Sequence, residues 1–340
     1  MHKGMILLVA LLISVMIAVP AVLVSLDSSS GSEDRRITED PGGGTGPDVK
    51  VYLTEEKRVV ELPLEEYIRG VVAAEMPADF HLEALKAQAL AARTYIVDRL
   101  NRGDFSDMKE SGADGAQVTD TVQHQVFKTD EQLRQNWGDQ YDEFSRRIDE
   151  AVRATRGKVI QYDGEPIYAA FFSTSNGRTE NSEDYFAESY PYLRSVPSPW
   201  DEKSPKYKDQ KKMSVKEFLG KLEEESGNEL ALPASGGSKW IQVEKKTEGG
   251  RIGEIRVGDQ TFTGRQIREA LDLSSTDFSW NIQGDSITLT TRGYGHGVGM
   301  SQWGANLMAM EGKKAKEIVQ YYYQGVKIGN ASSILAKKEE

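Results

Sequence analysis

Residues 70–95 read GVVAAEMPADFHLEALKAQALAARTY, and this segment predicts two helices joined by a short break. Four apolar residues with helical spacing precede the break: Leu64, Ile68, Val71 and Val72. Glu75 takes the next position on the same core-facing stripe. Because Pro77 disfavours helical geometry at Met76, the first helix is predicted to end near Glu75.

The second helix is predicted to run from about residue 82 to residue 100, because apolar residues recur there at helical intervals. These residues are Leu82, Leu85, Ala89, Ala92 and Ile96. Gln88 and Arg93 lie on the same helix and are candidate substrate-binding residues.

Glu75 is the candidate catalytic residue, since two effects are expected to raise the pKa of its carboxyl. Partial burial penalises the charged form, and the negative end of the helix dipole does the same. A carboxyl that stays protonated near neutral pH can donate its proton to a leaving group. The alternative is a structural ion pair in which Arg93 neutralises Glu75. Arg93 can equally be a substrate ligand at the rim of the same cleft.

The remaining segments predict an α+β fold with mostly antiparallel sheet and helices packed around a substrate cleft. Strands are predicted at VKVYL and RVVEL, a helix at GDQYDEFSRRIDEAVRATRG, and a hairpin turning at Asp163 and Gly164 in GKVIQYDGEPIYAAFFS. A strand, a glycine-rich passage and a helix are predicted in ITLTTRGYGHGVGMSQWGANLMAM. The composition of residues 199–285 indicates a subdomain inserted into a domain of residues 49–335.

The glycine-rich passage RGYGHGVGMSQWGA carries glycine at positions 293, 295, 297 and 299. In an extended segment these glycines share one face and leave bare backbone, which a flat ligand or another chain can approach. Tyr294 and His296 lie on the opposite face, and Ser301 is a candidate N-cap of the next helix. The hypothesis is one wall of a cleft, in which His296 and Gln302 offer hydrogen bonds. The alternative is a glycine corner where a strand packs against a helix.

The stretch FFSTSNGRTENSEDYF moves from an apolar strand into hydroxyl and amide side chains. Ser173, Ser175 and Asn176 suit the hydroxyls of a sugar, although Asn-Gly is also an ordinary turn dipeptide. Tyr185 and Tyr190 are candidates for stacking on a sugar ring, with the core as the alternative location.

His124 is a candidate substrate ligand, although a lone histidine is more often a structural group. A metal site would require His124, His296 and a carboxylate to converge, and no motif with metal-ligand spacing supports that. The sequence therefore predicts neither a metal nor another cofactor.

The composition excludes several classes of function. The chain has 340 residues and a net charge of −11, which argues against nucleic-acid binding through a phosphate-neutralising surface. It has no cysteine, which excludes disulfides, thiolate zinc sites and cysteine nucleophiles.

Residues 5–26 are uncharged and long enough to cross a bilayer as a helix. Lys3 precedes this segment, so the positive-inside rule places residues 1–4 in the cytoplasm and the rest of the chain outside. A cleaved signal peptide, the alternative, usually has a shorter apolar region and a small-residue cleavage site. Residues 27–48 are polar and glycine-rich, which is typical of a flexible linker.

The chain resembles the SpoIID/LytB family in two long motifs, GVVAAEMPADFHLEALKAQALAARTY and GYGHGVGMSQWGA, with FFSTSNGRTE between them. The similarity covers nearly everything from Val49 to about Gly329. The membrane anchor and single short domain are similar to the sporulation branch of that family.

The resemblance implies a peptidoglycan lytic transglycosylase. Such an enzyme cleaves the bond between N-acetylmuramic acid (MurNAc) and N-acetylglucosamine (GlcNAc) and leaves a 1,6-anhydro end. The family's catalytic glutamate falls on Glu75 and its arginine on Arg93. Related enzymes act on glycan strands without stem peptides, which implies a partner amidase and a membrane partner at the septal and engulfing membranes during sporulation. Some relatives hold zinc through cysteines, which this chain lacks, so the metal is not carried over.

One glutamate suffices for the implied reaction, because the sugar's own 6-hydroxyl is the nucleophile. A hydrolysing glycosidase usually needs two carboxylates, and Glu65, Glu66 or Glu83 can supply a second one. Two alternatives therefore stay open: a muramidase that hydrolyses the same bond, and a non-catalytic glycan-binding activator of a cell-wall amidase.

Overall fold

The computed structural model describes residues 46–110, 112–186, 188–231 and 240–336. The predicted N-terminus (residues 1–4), membrane anchor (residues 5–26) and most of the linker (residues 27–48) lie outside these ranges. Within the ranges, no helix is both long and apolar enough to span a membrane.

The strands are short and form several small sheets. In chain order they are β1 (Asp48–Leu53), β2 (Arg58–Pro63), β3 (Val118–Thr119), β4 (Lys158–Tyr162), β5 (Glu165–Pro166), β6 (Phe171–Phe172), β7 (Lys208–Ser214), β8 (Ile241–Lys246), β9 (Ile252–Val257), β10 (Gln260–Thr263), β11 (Phe278–Gln283), β12 (Ser286–Arg292), β13 (Met300–Ser301) and β14 (Lys327–Asn330).

The helices alternate with these strands along the chain. They are α1 (Leu64–Glu75), α2 (Leu82–Arg102), α3 (Ser106–Glu110), α4 (Asp130–Trp137), α5 (Tyr141–Ala154), α6 (Val215–Ser226), α7 (Gly264–Ala270), α8 (Gln302–Met310), α9 (Ala315–Tyr322) and α10 (Ala331–Leu335). Short 3₁₀ helices cover Gly138–Gln140, Ser182–Asp184 and Pro199–Lys203.

Most strand pairs are antiparallel. Strand β12 lies between β11 and β7, β9 lies between β8 and β10, and β4 lies between β14 and β5, all in antiparallel pairs. Strand β1 pairs antiparallel with β2 but parallel with β3, and β6 pairs parallel with β13. The predicted α+β class with mostly antiparallel sheet is confirmed.

Helix α2 lies at the centre of the larger hydrophobic core. It contacts α1, α5, α8, α9, α10 and strand β4. Its small buried residues allow these neighbours to approach closely: Ala87, Ala89, Ala91 and Ala92. Gly103 ends the helix in the left-handed conformation that glycine adopts readily.

A second hydrophobic core lies within residues 213–289. It includes Phe218 and Leu222 of α6, Ile255 of β9, Ile267 of α7 and Leu289 of β12. The predicted subdomain falls in this part of the chain, and its boundaries stay a prediction.

The helix predicted around residues 138–157 is shorter in the structure, because residues 138–140 form a 3₁₀ turn before α5 begins. The predicted hairpin turns at Asp163 and Gly164, which have positive φ angles of 50° and 86°. Its second strand ends at Pro166, although the Ile167 N–H still donates to the Ile160 carbonyl oxygen at 3.1 Å. The following Phe171–Phe172 strand, β6, pairs with β13 instead.

Arg93 is fully buried and forms a two-point ion pair with Glu65. Its Nε donates to Glu65 Oε1 at 3.0 Å, and its Nη2 donates to Glu65 Oε2 at 2.6 Å. Its Nη1 reaches Thr155 Oγ1 and the Lys158 carbonyl oxygen, both at 3.3 Å. The suggested pairing of Arg93 with Glu75 is therefore wrong. A role as substrate ligand is also contradicted, since the guanidinium is enclosed and its donors are engaged.

We expect Glu65→Gln to lower the free energy of unfolding by about 3 kcal/mol, because it leaves the buried Arg93 guanidinium without its carboxylate. Urea denaturation of the purified protein measures this loss. The matched control is Glu269→Gln, which breaks an exposed pair with Arg265 and should change stability by less than about 0.5 kcal/mol. Equal effects of the two substitutions would contradict the structural role of Arg93.

Candidate functional site

Glu75 is the last residue of α1, and Met76 is already in an extended conformation. The position of the helix end is therefore as predicted. The Glu75 side chain is half-buried, and its Oε1 accepts a hydrogen bond from the Val126 N–H at 3.1 Å. Burial raises the pKa of Glu75 to about 7, although the hydrogen bond from Val126 acts in the opposite direction.

The loop that carries Val126 is held closely against α1. A Cβ atom on Gly70 would lie only 2.2 Å from Phe127 Cε2, so a glycine is needed for this close approach. The Tyr67 ring stacks on Phe127 with centroids 5.7 Å apart, and the Tyr67 hydroxyl donates to Gln125 Oε1 at 3.1 Å. These contacts hold in place the Val126 N–H group, which donates a hydrogen bond to Glu75.

The first residue of helix α8, Gln302, also contacts the end of α1. The Gln302 Nε2 donates to the Glu75 carbonyl oxygen at 3.0 Å, which satisfies one of the carbonyls that a helix end leaves unpaired. Ser301 is the N-cap of α8, as predicted, and its side chain accepts from the Gly304 N–H. The structure thus brings Gln302 to the end of α1, beside the candidate catalytic residue.

The other carboxylates proposed as a second catalytic group have structural partners or lie at the surface. Glu65 holds Arg93. Glu83 accepts from the Ala315 N–H at 2.9 Å and pairs with Lys86 at 2.9 Å. Glu66 is exposed on α1.

Ser175 and Ser301 belong to a buried network around Asp201. All three side chains are fully buried, and Asp201 Oδ1 accepts from the Ser175 N–H at 2.9 Å and from the Ser301 hydroxyl. The Ser175 hydroxyl donates to the Ser198 carbonyl oxygen at 3.2 Å. The predicted contact of both serines with substrate is contradicted, because the network encloses them.

Gln88 is also completely buried, on α2, so its predicted contact with substrate is contradicted as well. Asn176 is half-buried and uses its amide to donate to Asp277 Oδ2 at 2.9 Å and to the Gly249 carbonyl oxygen at 3.1 Å. Ser173 is half-buried, with its hydroxyl 3.3 Å from that of Thr174.

The glycine-rich passage is not extended, which overturns the prediction of a bare backbone face. All four glycines have positive φ angles, between 78° and 109°. A Cβ on Gly299 would lie 2.1 Å from the Ala170 carbonyl oxygen, and one on Gly293 would lie 2.8 Å from the Thr174 carbonyl oxygen. The chain itself covers this backbone, so the alternative interpretation, a glycine corner, describes the structure.

His124 has a structural role. Its side chain is 2% exposed, its Nε2 lies 2.8 Å from Asp107 Oδ2, and its Nδ1 lies 2.9 Å from Thr119 Oγ1. Both ring nitrogens are engaged, so the predicted substrate contact is contradicted. The histidine instead fixes the loop that continues to Val126.

Two of the candidate substrate-binding tyrosines differ in accessibility. Tyr190 is stacked between Tyr168 and Tyr192, with ring centroids 5.7 and 5.5 Å away. Tyr294 is 45% exposed, with Lys206 Nζ 5.1 Å from its ring centroid.

Tyr185 and His296 are brought together, with ring centroids 5.5 Å apart. The His296 Nδ1 accepts from the Val298 N–H at 3.1 Å. Burial lowers the pKa of His296 to about 3, and the guanidinium groups of Arg268 and Arg251 act in the same direction. The ring is therefore neutral at physiological pH.

The sequence predictions missed the residues that complete these sites. Val126, Gln125 and Tyr67 follow no motif that identifies them, because they act through the fold of a loop. Glu180 and Arg251 form a buried pair 71 positions apart in the sequence, with Nε and Oε1 3.2 Å apart. Glu180 lies within the quoted FFSTSNGRTENSEDYF stretch, but nothing in its spacing separates it from a solvent-exposed glutamate.

Similarity to known proteins agrees with the motifs. A family model described as "SpoIID: Stage II sporulation protein" matches residues 52–162. Stage II sporulation protein D of Bacillus subtilis (strain 168) is 47% identical over 289 residues, which cover 85% of this chain and 81% of that protein. The chain belongs to the SpoIID family. Stage II sporulation protein D of Bacillus amyloliquefaciens is 48% identical over the same share of this SpoIID chain and 80% of its own length.

A more distant relative of this SpoIID protein carries a different name. The amidase enhancer of Bacillus subtilis (strain 168) is 27% identical over 305 residues, which cover 76% of this chain and 39% of that protein. The predicted membership of the SpoIID family is confirmed.

The raised pKa of Glu75 makes the stability of this SpoIID chain depend on pH. The pKa rises from 4.5 to about 7 on folding, so the protonated group stabilises the fold fully below pH 4.5. That contribution is lost as the pH rises through 7. We expect the wild type to lose up to about 3 kcal/mol relative to Glu75→Gln between these values. Urea denaturation of both proteins across this range is the measurement. A difference that does not vary with pH would contradict the raised pKa.

Proposed function

We propose that this protein is a peptidoglycan lytic transglycosylase, which cleaves the MurNAc–GlcNAc bond of glycan strands and leaves a 1,6-anhydro end. The observation that carries the proposal is the Glu75 carboxyl, which is half-buried at a helix end, accepts a hydrogen bond from the Val126 N–H and has a pKa raised to about 7. Such a group is about half protonated at neutral pH, which suits both directions of proton transfer.

The reaction uses Glu75 twice. The protonated carboxyl first donates its proton to the glycosidic oxygen, and the bond from the anomeric carbon of MurNAc to that oxygen breaks. The resulting carboxylate then accepts the proton of the MurNAc 6-hydroxyl as that oxygen bonds to the anomeric carbon. Glu75 ends the cycle protonated, and no water is consumed.

The fold around Glu75 supports this cycle. The Val126 N–H stabilises the carboxylate that forms after the first step, while burial favours the acid that starts it. Glu65 and Glu83 are engaged with Arg93, Lys86 and Ala315. This favours the transglycosylase, which needs one carboxylate, over a muramidase.

We further propose that the enzyme acts on peptide-free glycan in septal remodelling and engulfment during sporulation. In this proposal residues 5–26 anchor the protein in the cell membrane, residues 27–48 form the linker and residues 49–335 form the extracytoplasmic domain, with a subdomain at about 199–285. A cell-wall amidase that removes stem peptides is the proposed partner, together with a membrane partner. Membership of the SpoIID family and similarity to an amidase enhancer support this setting.

We expect Glu75→Gln to abolish formation of anhydro ends from peptide-free glycan strands, because the amide keeps the shape but cannot donate the proton. Mass spectrometry of the released fragments measures it. Glu61→Gln, which makes the same change on the exposed face of β2, is the control and should retain wild-type turnover. Wild-type turnover by Glu75→Gln would refute the assignment.

The pH profile tests the same group in the active enzyme. Because free enzyme must carry a protonated Glu75, we expect kcat/KM to fall above pH 7, reaching about a hundredfold below its plateau at pH 9. Initial rates at low substrate concentration between pH 5 and pH 9 give this profile. A plateau that continues through pH 9 would contradict the role of Glu75 as the acid.

Two other functions are distinguished by the same assays. A muramidase yields a reducing end, which is one water heavier than the anhydro end. A non-catalytic activator of an amidase is favoured by the similarity to the amidase enhancer. In that case the purified protein releases no fragments, and Glu75→Gln stimulates the amidase as well as the wild type does.

A further inference from the structure

A cavity of about 150 Å³ lies beside Tyr185 and His296. Glu180 also lines it, as do Thr247, Gly253 and Thr276 from the part of the chain that includes β9. This volume is large enough for several water molecules. It therefore accommodates a side group of a larger molecule.

Glu180, the ion-pair partner of Arg251, brings two buried carboxylate oxygens to this cavity, without an aligned hydrogen-bond donor in the described part of the chain. The residue is 1% exposed, and among the described residues neither of its carboxylate oxygens has a hydrogen-bond partner. Arg251 Nε lies 3.2 Å from Oε1 but makes no hydrogen bond with it. A Cβ on Gly249 would lie 1.9 Å from Oε1, so backbone closes that flank. A buried acceptor without a donor is unfavourable, and a donor from a ligand would offset that cost.

The charges around the cavity favour a neutral donor over a cation. Arg265 lines the cavity, and Arg251 and Arg268 lower the pKa of the His296 ring together with burial. Asp184 contributes a second carboxylate to the lining, and Arg251 lies beside Glu180. An ammonium group entering this site would meet the burial that chiefly lowers the pKa of His296, and the guanidinium groups that add to this effect.

We propose that this cavity is a saccharide subsite that receives the acetamido group of an N-acetylated sugar, with the amide N–H directed at Glu180. The inference rests on the proposed function, because peptidoglycan glycan carries a neutral acetamido group on each sugar. Thr247 and Thr276 add hydroxyls to the lining, and Gly253 leaves space for the group. Glu75 is not among the residues that line the cavity, so the proposed subsite contributes to binding and not to proton transfer.

The subsite is tested by replacing Gly253, which lines the cavity, with a larger residue whose side chain would fill it. A Cβ there would lie 3.6 Å from Thr247 Cγ2 and 3.4 Å from the Lys245 carbonyl oxygen, which are ordinary contacts, so the strand tolerates a side chain. Calorimetry of the full chain, carrying Glu75→Gln to prevent cleavage, measures binding of a peptide-free oligosaccharide of alternating MurNAc and GlcNAc. We expect Gly253→Leu to raise Kd about tenfold, the equivalent of one lost hydrogen bond.

A second variant and a second probe complete the test. Glu180→Gln should raise Kd by a similar factor, whereas Glu244→Gln, which breaks an exposed pair with Arg256, should leave it unchanged. The same oligosaccharide without its acetyl groups should bind at least about tenfold more weakly. Unchanged affinity in folded Gly253→Leu, or equal binding of the deacetylated probe, would overturn the subsite.

The transglycosylase proposal and the subsite proposal can be refuted independently of each other. If Glu75→Gln abolishes cleavage while Gly253→Leu binds glycan as tightly as its parent, the subsite is wrong and the transglycosylase stands. If Glu75→Gln cleaves normally while Gly253→Leu weakens binding, the subsite stands and the role of Glu75 is wrong.

Discussion

The proposed chemistry depends on one constraint: a carboxyl group placed at the end of a buried helical stripe, where water is partly excluded. Helix α1 presents Glu75 at the point where Pro77 stops the helix, so this residue occupies the last position of the core-facing stripe. The Val126 N–H supports the ionised form, while burial supports the neutral one. This balance keeps both protonation states available near neutral pH, as an acid that later acts as a base requires.

Much of the remaining polar chemistry holds this position together. Arg93 and Glu65 fix α1 to α2 and to the start of β4. Asp201 and its serine partners fix the start of α8, from which Gln302 reaches the Glu75 carbonyl oxygen. In the sequence, such polar residues look like parts of a ligand-binding site. In the folded protein, their hydrogen-bond partners are other residues of the same chain. Buried polar groups require such partners, so a buried network is their ordinary setting.

The glycine-rich passage illustrates a limit of sequence patterns. Alternation predicts two faces only when every residue is extended, and the four glycines instead adopt positive φ angles. The resulting path packs against residues 170–176 and carries His296 to a cavity with Glu180 and Tyr185. In the sequence, neither Glu180 nor Arg251 can be distinguished from an exposed charged residue, because their pairing joins segments far apart in the chain.

The sequence alone determined the α+β class, the end of α1 at Glu75, the extent of α2 and the turn at Asp163. The signals for these features are helical periodicity, a proline and the glycine that follows Asp163, and each of them acts within a few residues. It also identified the SpoIID family through long local motifs. Tertiary structure alone decided which polar residues are enclosed, as with Gln88, Arg93 and His124. Burial and pairing are set by residues that meet only after folding, and the same physical cause sets the pKa of Glu75.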